Sequence, residues 1–145
     1  MFKNLLVPID GSPTAQLAVD KAIVLAKAFG SAVTVLYVID PYPFTGVGTD
    51  FAYGQTQYLS AAKSEANQAL ADARTAFEAA GVKVAASLVE AHSTWKGILD
   101  AAESGSTDLI IMGSHGRSGI EKLVLGSVAQ RVVSNATVAV MVVRG

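Results

Sequence analysis

A chain of 145 residues, 51% of them hydrophobic, is long enough for one domain with a full core and short for two. Its 11 basic and 12 acidic residues leave a net charge of -1 with no block of like charge, so nothing marks a nucleic-acid or anionic-membrane partner. With no cysteine there is neither a disulfide framework nor a thiolate metal site, and His92 and His115 alone do not make a zinc cage.

The first apolar run, NLLVPID (residues 4–10), reads as a strand covered on both faces. The N-terminal stretch is too short, and too broken by Pro8 and Asp10, to be a signal-peptide core. Nowhere do apolar residues reach the roughly 20 that cross a membrane, so a cytoplasmic location is expected. Residues 12–30 predict a helix: Ser12 caps it, Pro13 takes the first turn, an apolar stripe follows at Ala15, Ala18, Ala22, Leu25 and Phe29, and Gly30 ends it. A second strand, AVTVLYVID, follows at residues 32–40.

Residues 40–57, DPYPFTGVGTDFAYGQTQ, form the one long irregular piece and predict a lid-like loop. The aromatics Tyr42, Phe44, Phe51, Tyr53 and Tyr58 either stack on a ligand there or fold onto the protein's own surface. A helix is predicted over residues 58–81, with Leu59, Ala62, Ala66, Leu70, Ala73 and Phe77 on one stripe. The run VKVAASLVE sets Val82, Val84, Ala86 and Leu88 against Lys83 and Ser87 and so reads as an edge strand. Next come a short helix over residues 93–105 that packs Trp95 near its start, a buried strand DLIIMG, a helix SVAQRVVSNA, and a last strand TVAVMVV. His92 reads as a loop residue, since no carboxylate spacing marks it as half of a catalytic pair.

Strands alternating with helices predict an open doubly wound sheet, which binds ligands beyond the carboxyl ends of its strands. The loops after the first, second and fourth strands carry Asp10, Asp40 and the stretch MGSHGRSGIEKLVLGS (residues 112–127), which holds four glycines. Such density uncovers backbone NH groups, and phosphate is the commonest thing they meet. Neither a Walker A loop nor a dinucleotide fingerprint fits. The pattern is instead Gly113, two residues, Gly116, nine residues, then Gly126-Ser127 at a helix start. Gly113 would let backbone approach a sugar, while Gly126 and Ser127 would turn unpaired NH groups and the positive helix end onto phosphate. Plainer readings stand beside these: Ser127 and Gln130 as a capping box, and Asp10 as the first residue of a DGSP turn. His115 and Arg117 either touch phosphate or face solvent.

This ordered set resembles the nucleotide-binding branch of the universal stress protein family. The likeness runs from LLVPIDGS through LYVID and DLIIMGSHGRSGIEKLVLGSVAQRVV to VMVVR. It departs at Ala91-His92, where a glycine turn is frequent, and at Ala136-Thr137, where Cys-Pro is. The resemblance implies a single α/β domain, an open doubly wound sheet of five parallel strands in the order 3-2-1-4-5 with helices on both faces, Rossmann-like and adenine nucleotide alpha hydrolase-like. It places ATP, with or without magnesium, at the ends of the first and fourth strands. Asp10 would then bind ribose or a magnesium ion, Val38 would present backbone to the adenine edge, and Pro8, Ile9 and Met112 would wall the adenine pocket. Gly113 would lie at the sugar, and Gly116, Gly126, Ser127 and Val128 would line the phosphate site. A kinase or hydrolase needs a placed base, metal ligands and cations near the γ-phosphate. This set offers one aspartate and mostly amides, which suits a nucleotide-dependent switch or sensor in stress adaptation. A slow magnesium-dependent ATPase or phosphotransferase and a non-nucleotide interaction module are the alternatives. The last strand, put at the sheet edge by the resemblance, has no Lys, Pro or Asp to blunt it, so a homodimer through Thr137 to Val143 is expected. No protein partner beyond a second copy is legible.

Overall fold

The structure, a computed structural model, describes residues 1–41, 49–115 and 125–145, without the side chains of residues 49–53. The apolar runs become five strands: β1 (Asn4–Pro8), β2 (Ala32–Ile39), β3 (Val84–Glu90), β4 (Leu109–Gly113) and β5 (Ala139–Val143). They form one sheet in the order β3-β2-β1-β4-β5, and every pairing is parallel. The helices are α1 (Pro13–Phe29), α2 (Thr49–Ala79), α3 (Thr94–Ser104) and α4 (Ser127–Asn135). None of the described helices is long and apolar enough to cross a membrane.

Each strand residue alternates between two cores, as the pleat requires. Leu5, Val7, Val33, Val35, Leu109 and Ile111 face α1 and α2, where Ala18, Ala22 and Phe77 are fully buried. Leu6, Leu36, Ile110 and Met112 face α3 and α4, closing on Ile98, Ala129 and Val132. Covering on both faces explains why β1, β2 and β4 read as unbroken apolar runs, whereas β3 and β5 lie at the edges with exposed positions. On β3, Val84 and Leu88 pack against the core but Ala86 is exposed.

The punctuation of α1 operates as the sequence implies. The Ser12 hydroxyl accepts from the Ala15 amide, Pro13 occupies the first turn, and Gly30 closes the helix in the left-handed conformation at φ 65°. Two expectations are corrected. The helix expected from residue 58 begins at Thr49, so residues 49–57 are helical and the irregular stretch is shorter than 40–57; residues 42–48, with Tyr42 and Phe44, lie outside the described residues. Phe29 does not complete the buried stripe of α1: it is 45% exposed and meets Phe2 edge-on, ring centroids 5.6 Å apart. Phe29 is the last residue of the helix, directly before its Gly30 stop.

Phe77 and Phe29 therefore differ in weight despite similar helical spacing. Phe77→Ala should cost about 3–5 kcal/mol in denaturant unfolding, and Phe29→Ala about 1 kcal/mol.

Candidate functional site

The site begins where β1 and β4 part. Their pairing is confined to Leu5 with Leu109 and Leu6 with Ile110, while β1 and β2 stay paired through Pro8 with Leu36. The amide of Ile9 donates to the Leu36 carbonyl, so the nitrogen of the preceding residue faces β4, and that residue is Pro8. Proline has no NH to extend the ladder. The sheet therefore opens at the carboxyl ends of β1 and β4, on either side of which the chain turns away in opposite directions, the position at which doubly wound sheets take ligands.

The turn out of β1 passes through Gly11, whose φ of +82° suits glycine alone. The Asp10 Oδ1 accepts from the Ser12 amide at 2.9 Å, and among the described residues no bond is made to Oδ2. The plainer reading of Asp10, a turn former, is thus realised with one oxygen, and the half-buried carboxylate still borders the opening.

Across the opening, Ser114 lies beyond the end of β4. Its amide donates to the Val143 carbonyl at 2.8 Å, and its own carbonyl accepts the Gly126 amide at 2.7 Å. This corrects the expectation that the Gly126 NH is unpaired. Gly126 is the N-cap of α4, in an extended conformation (φ −64°, ψ 161°) with no side-chain cap, and Ser127 is the first helical residue. The capping box of Ser127 with Gln130 is therefore absent; the Gln130 amide donates to the Gly126 carbonyl as an ordinary first-turn bond. The amides of Ser127, Val128 and Ala129 are the first-turn donors that a helix cannot satisfy internally, and none has a partner among the described residues.

Gly113 is small for a different reason from the one expected. A Cβ there would lie 2.6 Å from the Thr14 Oγ1 and 2.7 Å from the Thr14 carbonyl carbon, so the absent side chain makes room for α1. The Thr14 hydroxyl in turn donates to the His115 carbonyl at 2.6 Å.

Together these elements enclose a cleft of about 590 Å³. From the β1 end come Pro8, Ile9 and Asp10; from β2, Val38, Ile39 and Asp40; from β4 and its loop, Met112, Gly113 and His115; from α4, Gly126, Ser127, Val128 and Ala129. Nine of the ten residues named from the sequence, counting Pro8, Ile9, Asp10, Val38, Met112, Gly113, Gly126, Ser127 and Val128, thus border one space. Gly116, like Arg117, lies outside the described residues, as do the side chains of Phe51 and Tyr53.

Tyr58, one of the aromatics singled out from the sequence, lines the cleft from α2, while sequence reasoning missed Ala61, Ala62 and Glu65 beside it and the Thr94 and Ile98 contribution of α3. The α2 residues recur at helical spacing, so their sharing a face was legible, but not which face met a cleft. His92 is an exposed loop residue, as expected, and its Nδ1 lies 3.4 Å from Asp40 Oδ1 because β2 and β3 end side by side, a neighbour that sequence spacing did not mark. With the His92 side chain 79% exposed, this pair carries little energy. Trp95 packs half-buried against the core under α3 and α4, with Lys96 Nζ 5.4 Å and Arg131 Cζ 5.8 Å from its ring. Among the described residues no three His, Cys, Asp or Glu side chains converge on a metal position.

An open doubly wound α/β protein with a cleft at its switch point is what this fold and this site define. The universal stress protein family profile matches residues 1–144. A universal stress protein of Methanocaldococcus jannaschii is 36% identical over 144 residues, covering 99% of this chain and 83% of its own. Universal stress protein UspA from Lactobacillus plantarum superposes with a TM-score of 0.88 at 25% identity, covering 99% of this chain and 98% of the other. The chain belongs to the universal stress protein family. Two more distant structures share the fold: a universal stress protein in complex with cAMP (TM-score 0.73, 22% identity, 99% of this chain and 97% of the other) and one from Archaeoglobus fulgidus in complex with dAMP (TM-score 0.70, 20% identity, 99% and 98%).

The contact at Gly113 gives a direct test. Gly113→Ala drives a methyl group into α1 backbone, where no rotamer relieves it, and should destabilise the protein by about 1–3 kcal/mol with a matching fall in denaturation midpoint.

Proposed function

We propose that the cleft binds an adenine nucleotide, ATP with a magnesium ion in the first instance, and that the protein acts as a nucleotide-dependent switch or sensor in stress adaptation. One observation carries this reading. Three amides at the start of α4, without a partner among the described residues, border a cleft that also has apolar walls. The amides and the positive helix end suit phosphate. Ile9, Val38, Met112 and Ile98 suit a purine face, and the half-buried Asp10 carboxylate suits ribose hydroxyls. The cAMP and dAMP complexes of two other proteins with this fold are consistent with an adenylate in such a cleft.

The metal would be held lightly. Magnesium commonly takes one or two carboxylates and fills its other positions with phosphate oxygens and water, and Asp10 has Oδ2 to offer. Its chemistry would be to neutralise adjacent phosphate charge. Among the described residues lining the cleft there is no lysine or arginine. Phosphoryl transfer leans on such cations, so binding fits this lining better than rapid turnover.

Gly126→Asp separates phosphate recognition from the rest. Its extended conformation is the one an N-cap aspartate adopts, so the new carboxylate would accept the α4 first-turn amides itself. It would stabilise the helix while occupying the phosphate donors and adding like charge. Losing two charge-assisted bonds of about 1.5–3 kcal/mol each weakens ATP binding by roughly two to four orders of magnitude. Adenosine should be affected far less. Calorimetric titration of both ligands into wild type and variant, with circular dichroism to establish folding, reads the outcome. A folded variant that binds ATP as tightly as wild type would overturn the assignment.

Association is proposed through β5, an edge strand whose Ala139 and Met141 are exposed and which no charge or proline blunts. Antiparallel pairing with the same strand of a second copy would satisfy both free ladders. Light scattering at micromolar concentration should give twice the chain mass of 14.9 kDa, and a monomer would refute it.

A further inference from the structure

Thr14 stands one residue inside α1 and makes contacts that no requirement of its own helix explains. Its hydroxyl donates to the His115 carbonyl, 101 residues away, at 2.6 Å, and its backbone and Cβ fill the space left by Gly113. His115 is the described residue at which the glycine stretch leaves the sheet, and its neighbour Ser114 carries the carbonyl that holds the Gly126 amide. Thr14 is half-buried and does not itself line the cleft, while Gly113, His115 and Gly126 do. A side chain on α1 thus fixes the peptide next to the one that places the start of α4.

We propose that Thr14 is a positioning residue for the phosphate end of the cleft: its hydroxyl holds the His115 peptide, and through Ser114 the α4 amides, in the geometry that receives an anion. This rests on the adenylate reading and assigns part of its affinity to a residue outside the pocket. Donors fixed before binding cost no ordering when the anion arrives. Without the hydroxyl the His115 carbonyl loses its donor, and the Ser114–Gly126 link is held from one side only. The adenosine end is built on β1, β2 and Met112, so it keeps its support.

The test compares Thr14→Val, which keeps the branched shape against Gly113, with Thr14→Ser, which keeps the hydroxyl. Calorimetry with magnesium-ATP and with adenosine should find Thr14→Val weakened about tenfold for ATP, the scale of one lost hydrogen bond. Adenosine should change less than about twofold, and Thr14→Ser should recover most of the ATP affinity. Amide exchange followed by NMR without ligand should show the Gly126 NH of Thr14→Val exchanging several-fold faster than in wild type or Thr14→Ser. An unchanged ATP affinity in Thr14→Val, or an equal loss for ATP and adenosine, overturns the proposal. If wild type itself binds neither ligand, the adenylate reading fails, and the Gly126 exchange rate alone then decides whether Thr14 holds the loop.

Discussion

A buried peptide with both of its polar groups committed leaves its neighbours little freedom, and the peptide groups of Ser114 are in that position. Its amide extends the β4–β5 register by bonding Val143, its carbonyl takes the Gly126 amide, and its side chain is 1% exposed. The first of these bonds fixes where β4 ends relative to the sheet edge. The second fixes where α4 begins, twelve positions further along the chain, at the same end of the sheet. A helix start that could have faced solvent is instead held against the crevice, and the direction of its first-turn amides follows.

The crevice comes from the opposite kind of event, a ladder that cannot continue. Pro8 ends donation toward β4, and β1 and β4 separate after two residue pairs. On one side of the gap the Asp10–Ser12 turn and α1 close it; on the other, the glycine stretch leaves β4. The long α2 adds Tyr58 and Glu65 as a further wall.

Charge around the cleft is divided by origin. Asp10, Asp40 and Glu65 bring carboxylates from β1, β2 and α2, while α4 brings first-turn backbone amides. A phosphate held by amides is bound by geometry more than by net charge, so its affinity depends on how firmly that geometry is kept. This is the physical reason that packing contacts remote from a ligand, such as Thr14 against Gly113, bear on recognition.

Local chemistry was written in the sequence. The strand runs, the Ser12–Pro13 start and Gly30 stop of α1, and the helix start at Gly126-Ser127 follow from propensity, capping and spacing that a few adjacent residues settle. The family likeness carried the strand order, and it gathered Pro8, Asp10, Val38, Met112, Gly113, Gly126, Ser127 and Val128, which do meet at one cleft. What no local pattern could reveal was which atoms far apart in sequence would compete for the same space or the same hydrogen bond. The sequence marked Gly113 as special but attributed its smallness to a ligand, whereas α1 occupies the space. It marked the Gly126 amide as free, whereas Ser114 takes it. It left His92 alone, whereas the parallel β2–β3 register sets Asp40 beside it. Each of these rests on a contact between residues 12 to 99 positions apart, and such contacts exist only once the sheet has fixed which strand ends are neighbours.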